Sequence, residues 1–152
     1  MVHFAVVSYG DLMDQQIENS TIDSVLHELE SNAGLQLQSG RRMIASRALK
    51  ALGEARHQGR VPQVARDISS EILADRGAGK GYLIQSDLER ILTSSASVPI
   101  ALSYFGESVS LPDGAQSRRI TENSLTHALV KLFFSREDMN NMLKSRRLYV
   151  TM

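Results

Sequence analysis

Three glycines stand within five residues at Gly77, Gly79 and Gly81, and neither a helix nor a strand runs through such a cluster without a large entropic cost. The chain must therefore break there. On one side Val64, Ile68 and Ile72 repeat every four residues, and on the other Leu88 and Ile91 follow Ser86-Asp87-Leu88-Glu89, a Ser-x-x-Glu capping box. The stretch 72–92 reads as helix, glycine loop, helix. The simplest account gives Gly77 the left-handed conformation that ends the first helix, leaves the other glycines to the reversal, and makes Ser86 the cap of the second.

The second constraint is the arrangement of charge. Equal numbers of basic and acidic residues, 17 of each, give a formal net charge of zero, but they are segregated. Residues 1–40 hold Asp11, Asp14, Glu18, Asp23, Glu28 and Glu30 with no Lys or Arg, whereas 41–66 holds Arg41, Arg42, Arg47, Lys50, Arg56, Arg60 and Arg66 against Glu54 alone. An acidic segment next to a basic one either folds onto it or offers opposite patches to other subunits. Asp11, Asp14 and Glu18 on one side, and Arg41, Arg42, Arg47, Lys50, Arg56 and Arg60 on the other, are the candidate partner-binding residues. Nucleic acid is a less favoured partner, because neutrality and 5% aromatic residues supply neither a basic excess nor stacking platforms.

Composition closes several other routes. There is no Cys, hence no disulfide, thiolate metal site or cysteine nucleophile. The four His, at 3, 27, 57 and 127, stand singly and without metal-ligand spacing. No apolar run approaches the roughly 18 residues of a membrane span. A soluble protein of the cytoplasm, or of a particle assembled inside a cell, is expected, with no membrane partner.

Three chemistries compete for the glycine loop. A phosphate-binding loop of the G-x-x-x-x-G-K-[ST] type needs a glycine where Ala74 stands and a hydroxyl where Gly81 follows Lys80, so a nucleotide triphosphatase is excluded. Arg76-Gly77-Ala78-Gly79-Lys80-Gly81 resembles the [RQ]-x-x-G-x-[GA] loop of GNAT-family acyltransferases. That resemblance implies acetyl-CoA held by the loop around Arg76, Gly77, Gly79 and Gly81, and it implies several strands before the loop, where residues 41–75 read as helices. Gly81-Tyr82-Leu83 followed by Asp87-Leu88 and Ile91 resembles an EF-hand in the offsets of its glycine, its central apolar residue and its exiting helix. The early positions offer Arg76, Ala78 and Lys80 where calcium needs side-chain oxygens, so a metal-free helix-loop-helix is what this resemblance implies.

Along the chain, His3 to Tyr9 is a short apolar run, and residues 1–10 are a candidate docking arm. A short helix over Asp11–Ile17 and another beginning at Ser20-Thr21, with Ile22, Val25, Leu26 and Leu29 on one face, come next. Leu35 and Leu37 alternate with Gln and are a candidate strand. Ile44, Ala48, Ala51, Leu52 and Ala55 mark a helix over Arg41–His57. Pro62 fits the first turn of the next helix, which should end near Asp75. Residues 98–120 lack helical periodicity and contain Pro112-Asp113-Gly114, so a hairpin or extended insert is expected there. Leu125, Ala128, Leu129, Leu132 and Phe133 follow on a helix capped by Thr121. Ser135 to Asp138 begins another, carrying Met139, Met142 and Leu143. Arg146 to Val150 ends the chain as a strand or docking tail, with 145–152 a second candidate arm.

The expected fold is a mainly α, single-domain bundle of five or six helices with a small β insert near 98–120. The expected function is that of a non-enzymatic interaction or assembly subunit, of a viral or other large complex, acting as a homo-oligomer or with other subunits and with no cofactor.

Overall fold

The structure is a computed structural model that describes residues 9–31, 33 and 47–151, with side chains described within 20–145. The expected arms at 1–10 and 145–152, the alternation at 35–37 and the start of the helix at 41–46 fall wholly or partly outside these residues. The element order is α1 (Tyr9–Glu30), α2 (Arg47–Arg56), α3 (Val61–Arg76), β1 (Tyr82–Leu83), α4 (Gln85–Ile91), α5 (Ser97–Phe105), β2 (Glu107–Ser110), β3 (Gln116–Thr121) and α6 (Glu122–Thr151). The molecule is mainly helical with one small antiparallel sheet of order β1-β3-β2.

The sheet joins two helix-strand-helix units. In β1, Leu83 lies opposite Ile120 of β3, and both side chains are fully buried. The turn after α3 is thereby tied to the strand that feeds α6. Against these units α1 lays Ile22, Val25, Leu26 and Leu29, all buried, a stripe at helical spacing that packs on α5, α2 and α3. Ala48, Leu52 and Ala55 of α2, Ala65, Ile68 and Ile72 of α3, and Leu125, Leu129 and Leu132 of α6 complete one core.

Several boundaries differ from the sequence reading, each for a local reason. Ser20 does not begin a new helix. It lies inside α1, and the Ser24 hydroxyl donates to its carbonyl at 3.2 Å. No Gly or Pro interrupts 11–30, so propagation overrides the cap signal. Likewise Ser135 is interior to α6, which runs on through Arg146–Val150 to Thr151 where a strand or tail was expected. Residues 98–105 are helix, not extended chain: Val98, Ala101 and Phe105 form its buried face, and Pro99 sits in its first turn, where no N–H is needed. The hairpin is confined to β2 and β3, and its turn has the expected chemistry. Gly114 is left-handed at φ +86° and the Asp113 carboxylate accepts the Ala115 amide at 2.9 Å.

Glu30 closes the gap between α1 and α2. It falls four residues after Leu26, on the buried line of α1, and is 1% exposed. Its carboxylate accepts the backbone N–H groups of Arg47 at 2.8 Å and Ala48 at 3.1 Å, so the last residue of α1 caps the start of α2. Burial pushes its carboxyl above the ordinary range, against the downward pull of the two amides and of the Arg47 and His27 charges.

Replacing Glu30 by Ala would leave two buried amides without an acceptor and should cost about 2 kcal/mol in urea unfolding. Because its folded pKa is raised, Glu30 favours folding most below about pH 4.3, its unfolded value, and that contribution declines as pH rises through the folded pKa. A Glu30→Gln variant should therefore lose the decline in stability that sets in above about pH 4.3; an unchanged slope would contradict the assignment.

Candidate functional site

The loop singled out by its glycines folds as a tight reversal whose ions are all bound within the chain. Gly77 is not left-handed, at φ −88°. It is required because a Cβ there would stand 2.6 Å from the Leu73 carbonyl oxygen and 3.1 Å from that of Tyr82. The left-handed residues are Ala78 at φ 51°, Gly79 at φ 85° and Gly81 at φ 79°. The Lys80 amide donates to the Gly77 carbonyl at 3.0 Å, which closes the turn.

Asp87 organises the entry into α4. That helix begins at Gln85 with Ile84 as its extended N-cap, two residues earlier than the Ser86 cap expected from sequence. Asp87, not Glu89, reaches back: its carboxylate accepts the Ile84 N–H at 2.9 Å. The same carboxylate, 1% exposed, lies 2.5 Å from the Lys80 ammonium and also pairs with Arg90. Burial would push the Asp87 carboxyl up, but the Ile84 amide, Lys80 and Arg90 outweigh it and hold it below the usual range. Glu89 instead accepts from the Gln85 side-chain amide at 3.0 Å on the exposed face.

Counting Arg76 as the first position of an EF-hand loop makes Gly81 the sixth and Asp87 the twelfth, the places of the obligatory glycine and the last carboxylate ligand. The central apolar residue, Leu83, pairs across β1 and β3. The helix-loop-helix shape is therefore present, and the cation facing Asp87 is a lysine on the loop itself. Among the described residues there is no group of three or more His, Asp or Glu that could hold a metal.

Arg76 does not point into the loop. Its guanidinium donates to the carbonyls of Glu28 at 3.2 Å, Leu29 at 3.4 Å and Ser31, which satisfies the free C-terminal end of α1. Sequence reading missed a second residue in the same role: Arg118, on β3, donates to the carbonyls of Leu102, Ser103 and Gly106 at the end of α5. Next to it the Arg119 guanidinium stacks over Tyr82 at 4.3 Å, with Lys80 at 5.8 Å from the same ring. For an acyltransferase the loop would have to follow a strand and keep its amides open to pyrophosphate. Here α3 precedes the loop, and the carboxylate of Asp87 stands at the start of α4.

The segregated charges of 1–66 meet through α6. Asp23 of α1 pairs with Arg136, and Arg56 of α2 pairs with Glu137 at 2.5 Å. Glu28 accepts both the amide and the hydroxyl of Thr93, at 3.2 and 2.6 Å, and Arg66 donates to Asn123 at 3.4 Å. Arg60 is exposed and Arg47 and Lys50 half-exposed on or beside α2. Arg41 and Arg42 lie outside the described residues, and the side chains of Asp11, Asp14 and Glu18, although on α1, are not among those described. On α3 the Glu71 carboxyl is raised by partial burial and by Asp67 one turn earlier.

Two surface clefts flank α5. One, of about 490 Å³, is walled by Tyr104, Glu107, Asn123, His127 and Lys131; the other, about 460 Å³, by Ile22, Pro99, Ile100 and Tyr104. No helix of the described residues is long and apolar enough to cross a membrane. No family model, no curated protein and no solved structure matches the chain.

Removal of the Asp87 carboxylate by Ala should cost about 2 kcal/mol, since it leaves the Ile84 amide at the start of α4 without its acceptor. Lys80→Met should cost less, about 1 kcal/mol, because Arg90 and the amide remain. The lowered pKa gives stability that is present above about pH 3.9 and lost as pH falls through the folded value; Asp87→Asn should remove that acid dependence. Millimolar calcium should leave the melting temperature of the wild type unchanged, and a rise would refute the reading of Lys80 as the resident cation.

Gly77→Ala should be more disruptive than Gly79→Ala. A Cβ at 77 meets two backbone oxygens, whereas the space at 79 is open and only the left-handed φ is penalised, by about 1 kcal/mol. Denaturant midpoints of the two variants measure the difference.

Proposed function

We propose that the chain is a non-enzymatic interaction subunit of a larger assembly, built on a helix-loop-helix pair that holds its shape without metal. The observation that carries this reading is the internal use of the loop's ions. Arg76 ends α1, and Lys80 neutralises Asp87, so the charged residues nearest to a phosphate, cofactor or calcium site in pattern serve the fold instead.

Chemistry directed outward then rests with the surface, where Arg60 is exposed and Lys50 half-exposed on or beside α2, and α1 carries Asp11, Asp14 and Glu18 in its sequence. Mixed charge of this kind suits protein partners better than a phosphate backbone, which calls for a field of one sign. Self-association or docking through these charges is favourable at low ionic strength and weakens as salt screens it.

Light scattering of the purified chain should give a mass above the monomer at about 20 mM salt that falls toward the monomer near 1 M, where the screening length shrinks to about 3 Å. A monomer at both salts would overturn self-assembly through the charge blocks.

A further inference from the structure

The geometry points to a self-complementary face on α6 through which two copies of the chain pair antiparallel. This inference rests on the reading of the chain as an interaction subunit, and it names one partner, a second copy. Among the described residues, Phe134 is the large hydrophobic side chain left exposed, at 45%. Its ring meets the edge of buried Phe133 at 5.2 Å, which fixes it in place before any partner arrives and lowers the entropic cost of binding.

The surroundings of Phe134 decide what can cover it. Residues 127, 131, 134 and 138 follow one another at spacings of four, three and four, so His127, Lys131, Phe134 and Asp138 share one side of α6. All four are exposed, and they lie opposite the buried stripe of Leu125, Leu129 and Leu132. Lys131 stands three residues before Phe134 and Asp138 four residues after it, with opposite sign.

Such a face is complementary to its own inverse. A two-fold axis crossing α6 between Phe134 and Ser135 sets Lys131 opposite the second copy's Asp138, sets Asp138 opposite its Lys131, and brings the two Phe134 rings together across the axis. This is the isologous arrangement of a symmetric dimer. A phosphate backbone or an anionic membrane would be drawn to Lys131 and repelled by Asp138 within the same two turns, whereas a second copy satisfies both. The face is narrow, so the pairing belongs with weak, small interfaces below about 1,200 Å² in total.

Sedimentation equilibrium of the full chain at low salt, from about 5 to 500 μM, tests this over the range expected of a weak interface. The mass should climb from 16.8 kDa toward twice that value as concentration rises. Phe134→Ser, at an exposed position, should keep the melting temperature and weaken association at least about tenfold, the effect of losing a central aromatic anchor. Lys131→Asp and Asp138→Lys should each weaken it, and the double variant, whose pair is reversed, should restore it. This charge exchange tests the pairing without the aromatic residue.

A chain that stays monomeric to the highest concentration, a Phe134→Ser variant that associates like wild type, or a double variant as weak as either single one would overturn the α6 pairing. Association that survives Phe134→Ser yet dissolves in salt would overturn this pairing and leave assembly through the α1 and α2 charges standing.

Discussion

Helix ends leave backbone groups without partners, and here ions close four such ends with the sign that the helix dipole requires. Carboxylates stand at two N-termini: Glu30 over the first amides of α2 and Asp87 over that of Ile84. Guanidinium groups stand at two C-termini: Arg76 on α1 and Arg118 on α5. Three of the four come from outside the helix they cap. Each therefore does two things at once: it satisfies buried polar groups, and it fixes the position of one element against another. With short strands and a two-residue β1, much of the relative placement of the helices depends on these caps and on the apolar stripe of α1.

The same logic explains how the acidic and basic segments coexist. They do not neutralise each other directly at Asp23 and Arg56. Consecutive residues on a helix point about 100° apart, so Arg136 and Glu137 of α6 reach in different directions, one to Asp23 on α1 and the other to Arg56 on α2. One helix with two adjacent opposite charges thus accepts both blocks. Both pairs are partly exposed, and each is worth little alone in water. Their value lies in specifying which helix packs where.

Periodicity carried most of the fold. The stripes of α1, α3 and α6 were legible because Ile22, Leu26 and Leu29, Ile68 and Ile72, and Leu125, Leu129 and Leu132 recur at helical spacing, and the Pro112-Asp113-Gly114 turn was legible because only a few residues adopt its backbone angles. Cap residues misled where they lay inside a longer helix, as at Ser20 and Ser135, since a cap signal competes with propagation and has no force of its own. The run 98–105 misled because one short apolar segment fits either period. The site was half legible: the glycines announced a reversal and the EF-hand offsets its shape, but the partners of Arg76 lie more than forty residues away on α1, and no local pattern encodes them. Glu30 did leave a trace, a carboxylate four residues beyond Leu26 on an apolar line, where a charge stays only if something holds it.

The perturbed carboxyls argue in the same direction. Strong shifts often mark catalytic groups, but ion networks that serve the fold produce them too. Glu30 and Asp87 are buried, and the donors named for each, the Arg47 and Ala48 amides for one and the Ile84 amide, Lys80 and Arg90 for the other, belong to the fold. The far half of α6 carries Arg136 and Glu137, which pair with α1 and α2. Among the described side chains its last buried residue is Phe133, yet the helix continues to Thr151, about 27 Å further at 1.5 Å per residue. A helix of that length gains little from propensity alone and draws its stability from packing. The half-buried Met139, Met142 and Leu143 continue the apolar stripe of α6 beyond Phe133, on the helix that joins the two charge blocks.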